Sequence, residues 1–430
     1  IIAGLLFGLV PAVQASKANL ASAIKEKSRM RTGFLRLNLS SLMVVMQVGL
    51  SLVLLTGAGL FAGSLLKIQR ENLGFERNNL LLVSIDPRLA GYKPTELTAL
   101  YQQLLDRVGS LPQVRNVSMA TYAPMSGSSR ESSIVVPGYV AQPDDDLVIK
   151  DMLAGPKYNE TLGVPVLRGR DIEIRDTPAS QKVAVVNASF AEHYFKGQNP
   201  IGRTFSFDDV EVNGTPIEIV GVVGDIKTSE VDEPPVPTVY RPILQVQDEA
   251  AYTVTLHLRT TGDPAPLTPQ VRQMINQIDD KLPIFGVTSM SDQLHEHWDQ
   301  ERLIAQLVSF FGALALILAC IGLYGVMAHG VARRTNEIGI RMALGAKGGN
   351  IAWMILRETL YLVLAGLLIG VPAALAGARL ISAQLFETSP TDPVTLIAAA
   401  AILTLVALLA GYLPARRASR VNPLTALRYE

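Results

Sequence analysis

Four stretches of the chain hold no Asp, Glu, Lys or Arg: 37–66 and 303–332, of 30 residues each, 359–378 with 20, and 393–415 with 23. A helix needs about 20 mostly apolar residues to cross the roughly 30 Å hydrocarbon core, so each stretch predicts a membrane span. A buried core helix of that length would ordinarily keep a polar face, and these have none. The spans are expected near 37–66, 303–330, 359–378 and 394–413. The first two stretches would reach about 45 Å as helix and predict spans that run on past the bilayer as stalks. Gly59 with Gly63, and Gly366 with Gly370, put small residues four apart, a spacing that lets helix backbones approach closely in lipid; these are expected helix-packing faces. Residues 1–13 form one more apolar run, expected to be the end of an earlier span. A signal peptide fits poorly there, because no basic region precedes the run and Lys17 follows it.

Between the first two spans the period changes. Residues 79–86 (NLLLVSID) read as a strand, 94–110 as a helix, and Leu111-Pro112 leads into a second strand, NVSMATY. The order returns far downstream, where TVTLHLR at 253–259 alternates as a half-buried strand should. A helix over 268–281 follows, then Leu282-Pro283 and a strand through Val287. Two βαβ units, each closed by a Leu-Pro corner, predict a ferredoxin-like sandwich whose halves are split in sequence. Residues 130–250 are then an inserted mixed α/β lobe. Its clearest pieces are the strand VAVVN (183–187), the helix ASFAEHYF (188–195) and the strand IEIVGVVGDI (217–226), set among turns at Asn199-Pro200-Ile201-Gly202 and Pro234-Pro235. The fold class is therefore a membrane protein of four transmembrane helices with a large α+β extracytoplasmic domain over 67–302.

Charge orients the chain. The 38 basic and 38 acidic residues balance, but residues 14–36, 331–358 and 414–430 hold 15 Lys/Arg against 4 Asp/Glu, and the rest of the chain holds 23 against 34. Cytoplasmic flanks of spans retain Lys and Arg. All three basic segments fall inside if the chain crosses outward in the first span, back in the second, out in the third and in again in the fourth. Such sorting does not suit a soluble enzyme or a nucleic-acid binder. The lone Cys320 excludes an intrachain disulfide framework and any CxxC site. There is no GxxxxGK[ST] loop, GxSxG elbow or HExxH motif, so no catalytic or nucleotide-binding residue is expected. His295 and His297 point about 200° apart on a helix; Trp298 beside them reads as an interfacial anchor. Asp144-Asp145-Asp146 reads as a solvated turn rather than a calcium loop. No metal ligand is assigned.

The loop between the second and third spans carries the sharpest pattern, RRTNEIGIRMALGA at 333–346. As a helix it sets Arg334, Glu337 and Arg341 on one face at i, i+3 and i+7, with Ile338 and Met342 as an adjoining apolar ridge, and the Gly345–Gly349 region ends it. A short charged helix between spans suits docking to a partner; the alternative is a positive loop with none.

This string, with the terminal GYLPARRASRVNPLTALRYE and the phrases VAVVNASFAEHYFKGQNPIGRTF and IEIVGVVGDIK, resembles the MacB/FtsX-type permeases of ABC transporters over nearly the whole chain from about residue 37. The resemblance implies that Arg333, Arg334, Glu337, Ile338, Gly339, Ile340 and Arg341 form a coupling helix that meets a separate cytoplasmic ABC ATPase. ATP and Mg would bind that partner, and no cofactor this chain. It further implies a split outer domain with an insertion, a bacterial inner-membrane location, and either homodimer pairing or a second permease unit fused in tandem. Positions 8–25 match 411–428 at 7 of 18 residues, so residues 1–36 are expected to be the tail of a preceding copy, as in the duplicated ADOP-type members. Val13 and Gln14 depart from Arg416 and Arg417 there, which leaves the contacts of the two copies unequal. Two functions follow from the resemblance: export, with a periplasmic adaptor and an outer-membrane channel as partners, or regulation of a periplasmic enzyme or lipoprotein pathway without transport. An intramembrane charge would mark an ion or substrate route; the four stretches have none.

Overall fold

Helix α1 (Leu39–Arg70) opens the computed structural model, which describes residues 39–140, 148–207, 215–231, 233–382, 385 and 388–420, with the backbone alone of His297. After it come β1 (Leu80–Ile85), α2 (Leu97–Gly109) and β2 (Val114–Ala120). The next run is β3 (Glu131–Val135), β4 (Val148–Ala154), α3 (Tyr158–Leu162), β5 (Val166–Gly169), β6 (Val183–Asn187), α4 (Ala188–Phe195), β7 (Thr204–Phe207), β8 (Ile217–Val223) and β9 (Thr238–Pro242). Then follow β10 (Val254–Thr260), α5 (Thr268–Ile278), β11 (Ile284–Ser289) and α6 (Met290–His297). The chain closes with α7 (Asp299–Arg333), α8 (Thr335–Ala343), α9 (Gly348–Leu380) and α10 (Pro393–Ala418). The expected tail of a preceding copy, residues 1–36, lies outside the described residues, as does Asp144-Asp145-Asp146.

Helices α1, α7, α9 and α10 are each long and apolar enough to cross a membrane. With 32 and 35 residues, α1 and α7 extend about 48 and 53 Å, well past the hydrocarbon core. Helix α9 begins 11 residues before the expected third span. Arg357 and Glu358 end the charge-free stretch without ending the helix, because charge stops a bilayer segment but not an α-helical backbone.

The residues group into two compact units, 314–373 with the first part of α1 and the last part of α10, and 54–313 with 374–399. In the second unit, β11-β1-β10-β2 lie side by side, all antiparallel. Counted along the two βαβ units this order is fourth, first, third, second, the ferredoxin-like arrangement. Helix α2 buries Leu97, Leu100, Tyr101, Leu104 and Val108, a stripe at helical spacing, and α5 buries Val271 and Ile275. Both stripes pack on Leu81, Val83, Leu256 and Leu258.

The inserted lobe is more regular than its sequence. Pairings β4–β3, β3–β7, β7–β8, β8–β6, β6–β9 and β9–β4 close into a ring. The ring encloses Ile149, Val186, Phe205, Ile219 and Val239, with Phe190 from α4. It joins the sandwich sheet where Ala120 of β2 faces Ala154 of β4. Strand β8 stops at Val223, short of the expected 226, because Gly224 turns its N–H to the Pro165 carbonyl at 3.0 Å and Asp225 accepts the Ser189 N–H at 3.0 Å.

Two expectations need correcting. Every residue of β10 is buried, not every second one, because the inserted lobe covers the face that Thr255, His257 and Arg259 would otherwise show to water: the Tyr158 ring of α3 meets His257 edge-on at 5.3 Å. Trp298 is also no interfacial anchor. It is 6% exposed and lies in the core between the two lobes with Leu73, Phe75, Tyr158, Tyr240 and Leu294.

Candidate partner-docking site

Helix α7 ends where the Thr335 hydroxyl donates to the carbonyls of Val331 and Ala332, both at 3.0 Å. Helix α8 then starts from Arg334, whose carbonyl accepts the Ile338 N–H at 2.9 Å. At its other end Gly345 takes φ +97°. Gly345 N–H donates to Met342 and Ala346 N–H to Arg341, both at 3.0 Å, the double closure that a left-handed residue just past a helix makes possible. Glycine is the residue that adopts this backbone without strain.

The structure divides the seven residues of the expected coupling helix by side. Ile338 is 1% exposed and Gly339 is buried. Ile338 packs with Met327 of α7, Ile351 and Ile355 of α9, and Ala415 and Ala418 of α10. The apolar ridge expected at Ile338 and Met342 therefore faces the protein's own spans, and Ile338 is unavailable to a partner. Arg333, Arg334, Glu337, Ile340 and Arg341 are exposed. Ile340, 48% exposed, and Leu344, 83% exposed, stand one turn apart and form the apolar strip that faces outward. Sequence periodicity could not choose, since Ile338 and Ile340 lie about 200° apart on the helix and either could have been the inner one.

The three charges on the expected shared face pair off in two directions. Arg341 Nη2 lies 2.6 Å from Glu337 Oε1 within α8, and Arg334 Nη1 lies 2.6 Å from Glu358 Oε1 of α9. All four side chains are about half exposed, and such pairs are each worth well under about 1 kcal/mol. They orient the side chains without locking them, which leaves the charges free to exchange partners. Arg341 Nη1 also approaches Met354 Sδ at 3.0 Å.

The spans approach one another closely through small residues. A Cβ on Gly366 would lie 2.4 Å from Val48 Cγ1 and 3.1 Å from the Val45 carbonyl, and one on Gly370 would lie 3.0 Å from Gly49 Cα. Gly49, not singled out from the sequence, is thus the α1 glycine at this crossing. Gly59 faces the Thr395 methyl, 2.5 Å from where its Cβ would be, whereas among the described residues nothing lies within 4 Å of the Cβ position at Gly63. Thr395 belongs to the first turn of α10, so one turn farther along α1 that neighbour has not yet begun.

Among the described residues no group of three or more His, Cys, Asp or Glu side chains is placed to hold a metal ion. His295 stacks edge-on to Trp298 at 6.4 Å.

The sequence model for the MacB-like periplasmic core domain matches residues 41–274, more than half of the chain, and that for the FtsX-like permease C-terminal domain matches 309–423. The chain is 26% identical over 277 residues to the ABC transporter permease YknZ of Bacillus subtilis, covering 64% of this chain and 68% of that one. It is 25% identical over 289 residues to the macrolide export ATP-binding/permease protein MacB of Mannheimia succiniciproducens, covering 64% of this chain and 43% of that one. The chain thus spans less than half the length of this MacB. The crystal structure of the periplasmic region of MacB from Actinobacillus actinomycetemcomitans aligns over 53% of this chain and 95% of that one, at 16% identity and a TM-score of 0.35.

Proposed function

Since the chain belongs to the family of permeases that carry a MacB-like periplasmic core domain and an FtsX-like permease domain, we propose that it couples ATP hydrolysis by a separate cytoplasmic ATPase to movement of its outer domain. The work is export from a bacterial cell across its inner membrane. The observation that carries this reading is α8: a short helix between two spans, seated on them through Ile338, that presents Arg333, Glu337, Ile340, Arg341 and Leu344 outward. Ion pairs this exposed contribute little to the fold, whereas a groove that desolvates them turns the same charges into specific contacts. A second permease unit, a periplasmic adaptor and an outer-membrane channel complete the proposed assembly, with ATP and Mg held by the ATPase.

Export is favoured over regulation of a periplasmic enzyme because relatives such as MacB, and PvdT of Pseudomonas aeruginosa at 25% identity over 357 residues, are named for macrolide and pyoverdine export. The charge-free spans offer no polar route, so the proposed work is mechanical, passed along α1 and α7 to the outer domain, and not conduction through the bundle. Coupling of this kind requires two states that both ends bias.

The test is Glu337→Lys in the full chain, reconstituted in vesicles with the ATPase with which it is purified. The substitution removes a pair worth about 0.3–0.5 kcal/mol, so expression and membrane insertion should hold while stimulation of the ATPase falls several-fold. Undiminished stimulation removes the coupling claim. Labelling of cysteines placed at 337 and 200 from the same side of the membrane removes the topology beneath it.

A further inference from the structure

Arg259 of β10 stands where three parts of the outer unit meet. Its side chain is 9% exposed, and its donors end on three backbone carbonyls: Nε on Thr161 at 2.9 Å, Nη2 on Glu76 at 2.8 Å, and Nη1 on Asn78. Thr161 lies in α3 of the inserted lobe. Glu76 and Asn78 lie in the segment 71–79 that leads from the end of α1 into β1. Arg259 itself belongs to the sandwich sheet, opposite Leu80 and Asn116.

That segment is also bonded directly to the inserted lobe. Glu76 N–H donates to the Leu162 carbonyl at 2.8 Å, and Lys227 N–H donates to the Leu73 carbonyl at 2.9 Å. Leu73 and Phe75 are buried in the core between the lobes. Gly74 runs at φ +79° so close to the next strand's exit that a Cβ would lie 2.1 Å from the Asp225 carbonyl oxygen; no other residue fits there. The nearest carboxylate to the guanidinium, Glu76 at 3.9 Å, is 73% exposed. The buried charge is therefore met mainly by carbonyl dipoles, two from segment 71–79 and one from α3. A guanidinium suits this because its donors point in fixed, divergent directions, which a single ammonium cannot match.

We infer that Arg259 is a positioning residue that reinforces the passage of a displacement of α1 into the inserted lobe, by tying segment 71–79 and α3 to the sandwich sheet in one hydrogen-bonded node beside the direct backbone bonds. This deepens the force-transmission reading above, and its test uses no ATPase, so either can fail without the other.

The experiment takes the full chain in phosphatidylethanolamine–phosphatidylglycerol vesicles, in a Cys320→Ser background. Leu66→Cys and Leu303→Cys, at positions 52% and 59% exposed on α1 and α7, are bridged by a short or a long bismaleimide to set the stalk spacing. Amide exchange is then read in 71–79 and in 158–164. With Arg259 present, changing the bridge should shift exchange in both segments by roughly fivefold or more. With Arg259→Gln, 71–79 should still respond, and the response of 158–164 should shrink severalfold, the direct Glu76 N–H to Leu162 bond carrying what remains. A full response of 158–164 in that variant, a rise in exchange that ignores the bridge, or no response of 158–164 with Arg259 present would each overturn the inference. If Arg259→Gln does not fold, Arg259→Lys keeps the charge but not the fork. It should weaken the response in 158–164 likewise, and a full response overturns the inference equally.

Discussion

His257 makes the outer unit acid-sensitive in a way that can be worked out from its surroundings. The ring sits in β10, fully buried, with Nδ1 2.9 Å from the Thr255 carbonyl and the Tyr158 ring edge-on at 5.3 Å. A carbonyl accepts only, so the neutral ring carries its proton on Nδ1. Nε2 is left without a partner among the described residues, and a second proton there would be a buried charge. Burial is the largest cause that pushes this histidine from 6.5 down to about 4; the Thr255 carbonyl opposes it and the Arg259 charge adds to it. Between those values the unfolded chain holds the proton and the folded chain does not. The stabilisation is complete above about pH 6.5 and is lost as pH falls through the folded value. At 1.36 kcal/mol per pKa unit the loss comes to about 3 kcal/mol, a large share of a typical domain's stability. The perturbation is His257→Phe, which keeps a ring against Tyr158 and removes the titration. Urea unfolding of the full chain in detergent would be followed by the fluorescence of Trp298, buried in the core between the lobes, with Trp353→Phe removing the second tryptophan. Carboxylates titrate in both proteins and cancel in the difference. The stability of the wild type relative to the variant should fall by about 3 kcal/mol between pH 6.5 and 4 and stay level on either side. A difference that does not change with pH across that range refutes the reasoning.

Two further pairs of substitutions separate buried from exposed roles. Gly366→Ala places a methyl 2.4 Å from Val48 in a crossing where backbone as well as side chain would have to move, and should cost roughly 1–3 kcal/mol. Gly63→Ala meets nothing within 4 Å among the described residues and should be neutral or gain up to about 1 kcal/mol of helix propensity; thermal midpoints in detergent would rank the two, and equal shifts would contradict the packing described. Ile338→Asp buries a carboxylate among apolar neighbours and should abolish folded protein, at a cost of several kcal/mol. Ile340→Asp, at a site 48% exposed, should leave stability within about 0.5 kcal/mol while reducing stimulation of the ATPase, and size-exclusion profiles with ATPase assays distinguish these outcomes.

What the chain reveals without its fold is the part set by local rules. Thirty residues without a charge dictate a span wherever they are placed, because every backbone polar group in lipid must be satisfied within the segment. The two βαβ units declare themselves through strand and helix periods and Leu-Pro corners, and α4 is legible because Asn187 caps it, accepting the Phe190 N–H at 2.9 Å. Helix α8 shows through the spacing of its charges and through Gly345, which closes it. What the tertiary structure decided depends on neighbours distant in sequence. Whether Ile338 or Ile340 faces inward is set by Ile355 and Ala415. Gly49 matters because Gly366 and Gly370 lie against it, and Gly63 does not meet α10 because that helix begins one turn too late. Strands β3, β7 and β9 are short and become strands by closing a ring, and β5 by pairing with β8. The alternation of β10 reads as half-exposed until a lobe inserted some hundred residues earlier covers its polar face. Arg259 looks like the outward charge of such a strand; only the meeting of three backbone segments at its guanidinium makes it a node, and no local pattern encodes a meeting.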